Sequence, residues 1–284
     1  MNLLDGKHIG DKILREVRLK IVKKNIEPGL AIILVGDDPA SRLYVNLKQK
    51  ACEKCGAAFH KYFFDANTKE EKIIETINFL NTDPDVHGIL VQLPLPKNFD
   101  EEKILNAIAP EKDVDALNSE NLEKLRAANI TKQTATNGEI IISPLALSIK
   151  ELITHTEQPI NDKKIVVLAN HTPLFDAIKF LFPNNIVEYA APTDPGWDKT
   201  TKSGDILIVC VGKAGFVTGA HIKKDSILID VGINKTADNK TVGDIDLDST
   251  QNIAAWATPV PGGVGPVTVS MLLKNLLALH RNIF

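Results

Sequence analysis

The sequence has little cysteine, few aromatic residues, no marked excess of either charge and no long apolar run. Three cysteines in 284 residues are too few for a disulfide framework and fit a reducing compartment. Cys52 and Cys55 form a C-x-x-C in "ACEKCG". A thioredoxin-like pair would sit at a helix start after a strand, where the dipole lowers a thiol pKa. This pair falls late in a helix-like stretch, so two small residues on one helical face are expected. No further ligands at zinc spacing accompany them, and no metal is expected. The net charge is −3, and no Lys/Arg stripe with interleaved aromatics suggests a nucleic-acid surface. No apolar run reaches the roughly 18–20 residues that a membrane helix needs. The opening "MNLLDGKHIGDKIL" lacks a basic segment followed by an apolar core, so no secretory signal is expected. These absences lead to the expectation of a cytoplasmic protein without nucleic-acid or membrane partners. The hydrophobic content of 44% and charged content of 24% are ordinary for a globular chain that buries a full core.

One absence is local. "VLANHTPLFDAIK", residues 167–179, follows a β-like run and leads into a helix-like one. A strand–turn–helix unit that cradles a phosphate ordinarily has a glycine-rich turn. This turn has no glycine.

The first half of the chain alternates strand-like and helix-like segments. "GLAIILVG" reads as a buried parallel strand. "DDPASRLYVNLKQKACEKCG" opens on Asp and Pro start signals and closes on Gly56. "AAFHKYFF" is a second strand, and "NTKEEKIIETINFLNTD" an amphipathic helix capped by Asn67 or Thr68. "VHGILVQLP" is a third strand, and "DEEKILNAIAP" a helix ended by Pro110. This βαβαβα order implies a parallel sheet with right-handed crossovers. Residues 113–143 read as an irregular polar crossing, followed by a helix at "PLALSIKELITHT". Five more strands follow, "KKIVVLA", "NIVEYAA", "GDILIVCVG", "SILIDVGI" and "NIAAWATPV", with little helix between the later ones. A strong helix closes the chain. The expected fold is α/β, with two domains of mainly parallel sheets, the second Rossmann-like, and a cleft between them.

Four stretches carry candidate chemistry. In "SRLYVNLKQK", Tyr44 and Lys48 are four apart and share a helix face; a phenol there can stack on a flat ring with an amine at its edge. In "VQLPLP", Gln92 lies at a strand's carboxyl end, where open α/β sheets bind ligands. In "PEKDVDALN", Asp113 and Asp115 point opposite ways if extended, so one can cap or pair while the other faces a ligand. In "TPVPGGVGPVT", prolines and glycines make a stiff turn before a helix, suited to anions and flat ligands.

These stretches, in this order, resemble the bifunctional methylenetetrahydrofolate dehydrogenase/cyclohydrolase (FolD) family. Its "VGxxPAS…YVxxKxK" is matched by residues 35–50, its "GxxVQLPLP" by residues 88–96, and its "PxKDVDG" by residues 110–115, with Ala116 in place of glycine. Its "VGKP" is matched by residues 211–213, with Ala214 in place of proline. Its "DVGIN", "GDVD" and "PVPGGVGPMT" appear as "DVGIN", "GDID" and "PVPGGVGPVT". The resemblance implies oxidation of 5,10-methylenetetrahydrofolate with NADP and hydrolysis of the 5,10-methenyl product to 10-formyltetrahydrofolate. Lys48 would be the catalytic amine, Gln92 its hydrogen-bond partner, Tyr44 the stacking ring and Asp115 the holder of the pterin edge. Val91, Leu93, Pro261, Gly262, Gly263, Val264 and Gly265 would contact the folate. Ala169, Asn170, His171 and Ile233 would contact the dinucleotide. Residues 1–140, completed by 266–284, would form the folate domain and residues 141–265 the dinucleotide domain. A homodimer is implied.

The departures cluster in the second domain. The family's "GRSxxVGxP" turn finds Ala169, Asn170 and His171 for Gly-Arg-Ser, Phe175 for the second glycine and Ala177 for the proline. No arginine reads a 2′-phosphate here. Glu188 stands where an NAD-type ribose reader would, or is an outward-facing strand residue. The family's "PCTP" becomes Ile141, Ile142, Ser143 and Pro144. An NAD-dependent or purely hydrolytic enzyme, or a non-catalytic folate- or partner-binding relative, are the alternatives.

Overall fold

The computed structural model describes residues 1–131 and 140–282. The first elements are β1 (Asn2–Leu3), α1 (Gly6–Lys24), β2 (Gly29–Val35), α2 (Pro39–Cys55), β3 (Ala58–Phe64), α3 (Glu70–Thr82), β4 (Gly88–Val91), α4 (Glu101–Asn106), a 3₁₀ turn (Pro110–Lys112) and α5 (Ser119–Thr131). Then come α6 (Pro144–Thr154), β5 (Lys164–Ala169), α7 (Pro173–Leu181), β6 (Ile186–Ala190), α8 (Trp197–Ser203), β7 (Ile206–Cys210), a 3₁₀ turn (Gly219–His221) and β8 (Ile227–Asp230). The rest are β9 (Asn234–Lys235), β10 (Thr241–Val242), α9 (Leu247–Thr250), β11 (Trp256–Ala257) and α10 (Val264–Asn282). The fold is α/β, in two compact units: Asp11–Pro144 with Val269–Phe284, and Met1–Gly10 with Leu145–Thr268.

The first unit holds a parallel sheet in the order β3-β2-β4. β2 lies in the middle and all seven of its residues are buried, as a continuous apolar run demands when both faces are covered. Its Ala31, Ile33 and Val35 pack with Ile73, Ile77 and Leu80 of α3. α2 begins and ends as its signals indicate: Asp38 Oδ2 accepts from Ser41 N, and Gly56 takes the left-handed conformation with φ 79°.

Three local expectations are corrected. The N-cap of α3 is Lys69, without a side-chain cap bond, rather than Asn67 or Thr68. α4 ends at Asn106, and Pro110 opens the 3₁₀ turn instead of closing the helix. The polar stretch of residues 113–143 contains α5; its remaining residues 132–139 lie outside the described ones. The buried side of α5 carries Asn121, Leu125 and Ala128. The spacing is helical, but an asparagine and an alanine at two of three positions conceal the apolar stripe.

The second unit holds six parallel strands in the order β1-β11-β8-β7-β5-β6. All five expected strands are present, and the N-terminal β1 adds an edge through Asn2↔Trp256. β5 has β6 on one side and β7 on the other. The winding reverses there, so the carboxyl ends of β5 and β7 form the switch point at which doubly wound sheets bind ligands. Among the described residues, no helix is long and apolar enough to cross a membrane.

Candidate active site

Lys48 sits in the middle of α2, one turn beyond Tyr44, and both are partly buried. Gln92 follows β4 directly. Its N–H donates to Ile33 O at 2.8 Å, which continues the β2–β4 ladder by one residue and fixes where the side chain leaves the sheet. Lys48 Nζ donates to Gln92 Oε1 at 2.9 Å, and Gln92 Nε2 donates to Leu93 O at 2.7 Å. The second bond orients the amide so that its oxygen faces the amine. Burial pulls the Lys48 pKa below its ordinary value, while the charge of Asp115 pushes it back up. Burial also raises the Asp115 carboxyl, against the pull of Lys48 and with the push of Asp113. The Tyr44 phenol is raised by burial. Burial thus brings the pKa values of this amine and carboxyl closer together than in water.

The two aspartates divide their tasks. Asp113 is buried and accepts from Asn118 N at 2.8 Å, Asn121 Nδ2 at 3.1 Å and Asp115 N at 3.3 Å. It is a structural cap that shapes the segment. Asp115, partly exposed, interacts with Lys48. Ala116 follows with φ 59°, which accounts for the glycine seen at this position in the resembling motif. Asn275 of α10 was not foreseen. Its Nδ2 donates to Val114 O at 3.2 Å and Ile142 O at 2.9 Å, pinning the backbone between the aspartates. The only sequence signal was a polar residue within an apolar helix. Of the other folate candidates in this unit, Val91 is buried in the sheet core, and Leu93 is partly exposed beside Gln92.

In the second unit, residues 261–265 lead into α10. Gly263 packs so closely that a Cβ would lie 2.6 Å from Pro259 O, and Gly262 has φ 108°. Pro261 is exposed, Gly262 and Gly265 partly so, and Val264 is buried. The glycine-free turn at Ala169, Asn170 and His171 joins β5 to α7. Residues 169–172 are absent from the positive-φ positions, so the turn needs no glycine. Ala169 is buried and its carbonyl accepts from Tyr189 Oη at 2.9 Å. Phe175 packs on that Tyr189 ring, with centroids 5.7 Å apart. Asn170 Nδ2 donates to Val211 O at 3.0 Å, His171 is exposed, and Ile233 lies half-exposed after β8.

Other candidates resolve structurally. Cys52 and Cys55 are buried, and burial first of all pushes their thiols up to about 12 and about 11, the reverse of an activated pair. Glu188 ion-pairs with Lys164 at 2.5 Å on neighbouring strands, as an outward-facing strand residue. No group of three or more metal-ligating side chains occurs among the described residues.

A lysine amine of lowered pKa, hydrogen-bonded to an oriented amide and under the charge of Asp115, lies on one α/β unit. A doubly wound sheet of dinucleotide type forms the other. The chain matches the family model of the tetrahydrofolate dehydrogenase/cyclohydrolase catalytic domain over residues 4–115, and that of the family's NAD(P)-binding domain over residues 143–283. It is 42% identical over 280 residues to a bifunctional protein FolD of Acetivibrio thermocellus, covering 96% of this chain and 94% of that one. The crystal structure of the bifunctional FolD enzyme from Campylobacter jejuni matches with a TM-score of 0.90 at 34% identity over 100% of both chains. The Trypanosoma brucei FolD structure, complexed with NADP cofactor and inhibitor, matches at 0.89 and 31%, covering 99% of this chain and 97% of that one. The chain belongs to the tetrahydrofolate dehydrogenase/cyclohydrolase family.

Proposed function

We propose that this protein oxidises 5,10-methylenetetrahydrofolate to the 5,10-methenyl cation and hydrolyses that cation to 10-formyltetrahydrofolate, with NADP as its dinucleotide. The observation that carries the reading is the Lys48–Gln92 hydrogen bond beside the Asp115 carboxyl. The methenyl carbon is already electrophilic. Water adds to it, a proton leaves, the bond to N5 breaks, and N5 ends carrying hydrogen. An amine with lowered pKa can relay these protons without a metal. Gln92, fixed by its bond to Leu93 O, holds the amine in place. Tyr44 supplies a ring face for the folate, and Asp115 can accept paired hydrogen bonds from the pterin edge.

NADP, when bound, supplies the hydride acceptor. The turn of Ala169, Asn170 and His171 at the switch point would hold it, with Ile233, three residues beyond β8. Gly212 supports the fit: at φ 69°, a Cβ there would meet nothing within 4 Å, so a ligand can approach the backbone closely.

A homodimer is part of the proposal. β3 is an edge strand with no second partner strand among the described residues, and the exposed Phe63 and Phe79 line one hollow beside it. Three free cysteines support a cytoplasmic location. We also propose the domain boundaries near residues 140 and 265 that the resemblance implies.

The test follows methenyl absorbance in purified protein given methylenetetrahydrofolate with NADP⁺ or NAD⁺. Formation of the methenyl signal with NADP⁺ is expected, and silence with both dinucleotides removes the dehydrogenase. Lys48→Met is expected to abolish enzymatic methenyl hydrolysis; hydrolysis at the wild-type rate removes the assigned mechanism.

A further inference from the structure

Two buried acids play no part in the chemistry so far described. Asp230 closes β8, Asp244 follows β10, and they are 4% and 0% exposed. Asp244 Oδ2 accepts from Val211 N at 2.7 Å and Gly212 N at 3.0 Å; its Oδ1 accepts from Lys213 N and Asn234 Nδ2, each at 2.8 Å. Asp230 Oδ1 accepts from Gly232 N at 2.9 Å and from Asp244 N at 3.0 Å, and its Oδ2 from Ile245 N at 2.8 Å. Asp230 thus holds the backbone of Asp244, whose carboxylate holds the loop after β7. Three consecutive N–H groups around a left-handed glycine form an anion nest. Here the chain fills the nest with its own carboxylate. Glycines admit both acids: a Cβ on Gly232 would lie 2.1 Å from Asp244 Cγ, and one on Gly243 would lie 1.9 Å from Asp230 Oδ2.

The place of this network is informative. β7 and β8 are parallel neighbours, with Val209 opposite Asp230. The loop after β5 joins the network through Asn170 Nδ2 on Val211 O. Loops from three adjacent strand ends therefore share one hydrogen-bonded base. Ile233 lies between Gly232 and Asn234, both anchored, and keeps its apolar side chain 47% exposed. Burying carboxylates is costly even when they are bonded. What they fix here is a rigid rim at the switch point, presenting an apolar side chain and the open face of Gly212.

We propose that Asp230 and Asp244 are positioning residues for the dinucleotide step, holding residues 211–213 and Ile233 as a preformed platform for the dinucleotide. The inference rests on the dehydrogenase reading above. Asp244 acts through the backbone that it organises, so its loss should raise the KM for NADP⁺ and spare methenyl hydrolysis, which uses no dinucleotide.

The experiment compares wild type, Asp244→Asn and Asn234→Ala for both activities in the same preparations, with hydrogen exchange read at the amides of Val211, Gly212 and Lys213. Displacement of positioning groups has large kinetic effects, so KM for NADP⁺ should rise about tenfold in Asp244→Asn and about threefold in Asn234→Ala. Hydrolysis should stay within about twofold of wild type, as expected when the amine site is untouched. Exchange at the three amides should quicken. If Asp244→Asn does not fold, Asn234→Ala decides alone, because it removes one bond of the network. Equal losses of both activities, or an unchanged KM in folded variants, overturn the proposal. A wild-type chain that hydrolyses methenyl substrate but oxidises nothing defeats the dehydrogenase reading, and this inference with it, before any substitution is made.

Discussion

At Lys48 two effects oppose each other: burial lowers the amine's pKa, and the Asp115 charge raises it. Burial is the larger, so the net shift is downward. If the neutral amine is the working form, kcat for methenyl hydrolysis rises with pH along a limb that lies below the ordinary lysine value of 10.5. Asp115→Asn removes the anion that holds the amine charged, so the limb should move to lower pH. The measurement is kcat at saturating substrate across pH, after subtraction of uncatalysed hydrolysis. A limb that stays in place, or moves up, refutes the coupling. Tyr44 and Lys48 were legible in the sequence from spacing, as one helix face; that Lys48 meets Gln92, 44 positions away, was legible only through the family resemblance. Asn275 was not legible, because it reaches a carbonyl 161 positions away. The roles of Asp230 and Asp244 were hidden for the same reason, since the amides that Asp244 binds lie 31 to 33 positions earlier.

Where strand β4 begins, it is tied to β2 and approached by α10 through histidines. His87 N donates to Gly29 O at 2.9 Å, and Gly29 N donates to His87 Nδ1 at 3.0 Å. The His87 and His280 rings lie 4.3 Å apart. Burial lowers the His87 pKa most, with help from the charges of His280 and Lys112 and opposition from Asp85; His280 is lowered by burial and by Lys24. A protonated Nδ1 could not accept from Gly29. The unfolded chain therefore takes up the proton first, and stability is lost as pH falls from about 6.5 through the lower folded value. His87→Asn keeps an acceptor near the position of Nδ1 without titrating. Its denaturation midpoint should fall less steeply than that of wild type between about pH 7.5 and 5.5, and equal slopes count against His87 as the source. Strands such as β2 were legible because burial on both faces leaves an unbroken apolar run. α5 was not, because tertiary contacts bury an asparagine where a leucine would have marked the face.

For the molecule as a whole, the question is what covers the edge of the three-stranded sheet. β3 pairs with β2 on one side, and no strand among the described residues pairs with its other side. An open edge of this kind is a template for pairing with another chain. Beside it Phe63 is 47% exposed and Phe79 61%. Tyr62, Phe63 and Phe79 line an open hollow of about 460 Å³ there. A second copy, related by a twofold axis, brings the same edge and the same hollow, so the patch can complete itself. Arg42 lies 5.6 Å from the centre of the Phe63 ring. Wild type should sediment as a dimer of the 31.1 kDa chain. Phe79→Glu places a charge in the patch that such a dimer would bury. It should shift the protein to monomer while leaving the folded unit intact by circular dichroism, since Phe79 is exposed within the single chain. A wild type that sediments as a monomer at micromolar concentration, or a Phe79→Glu variant that stays dimeric, would remove this face as the interface.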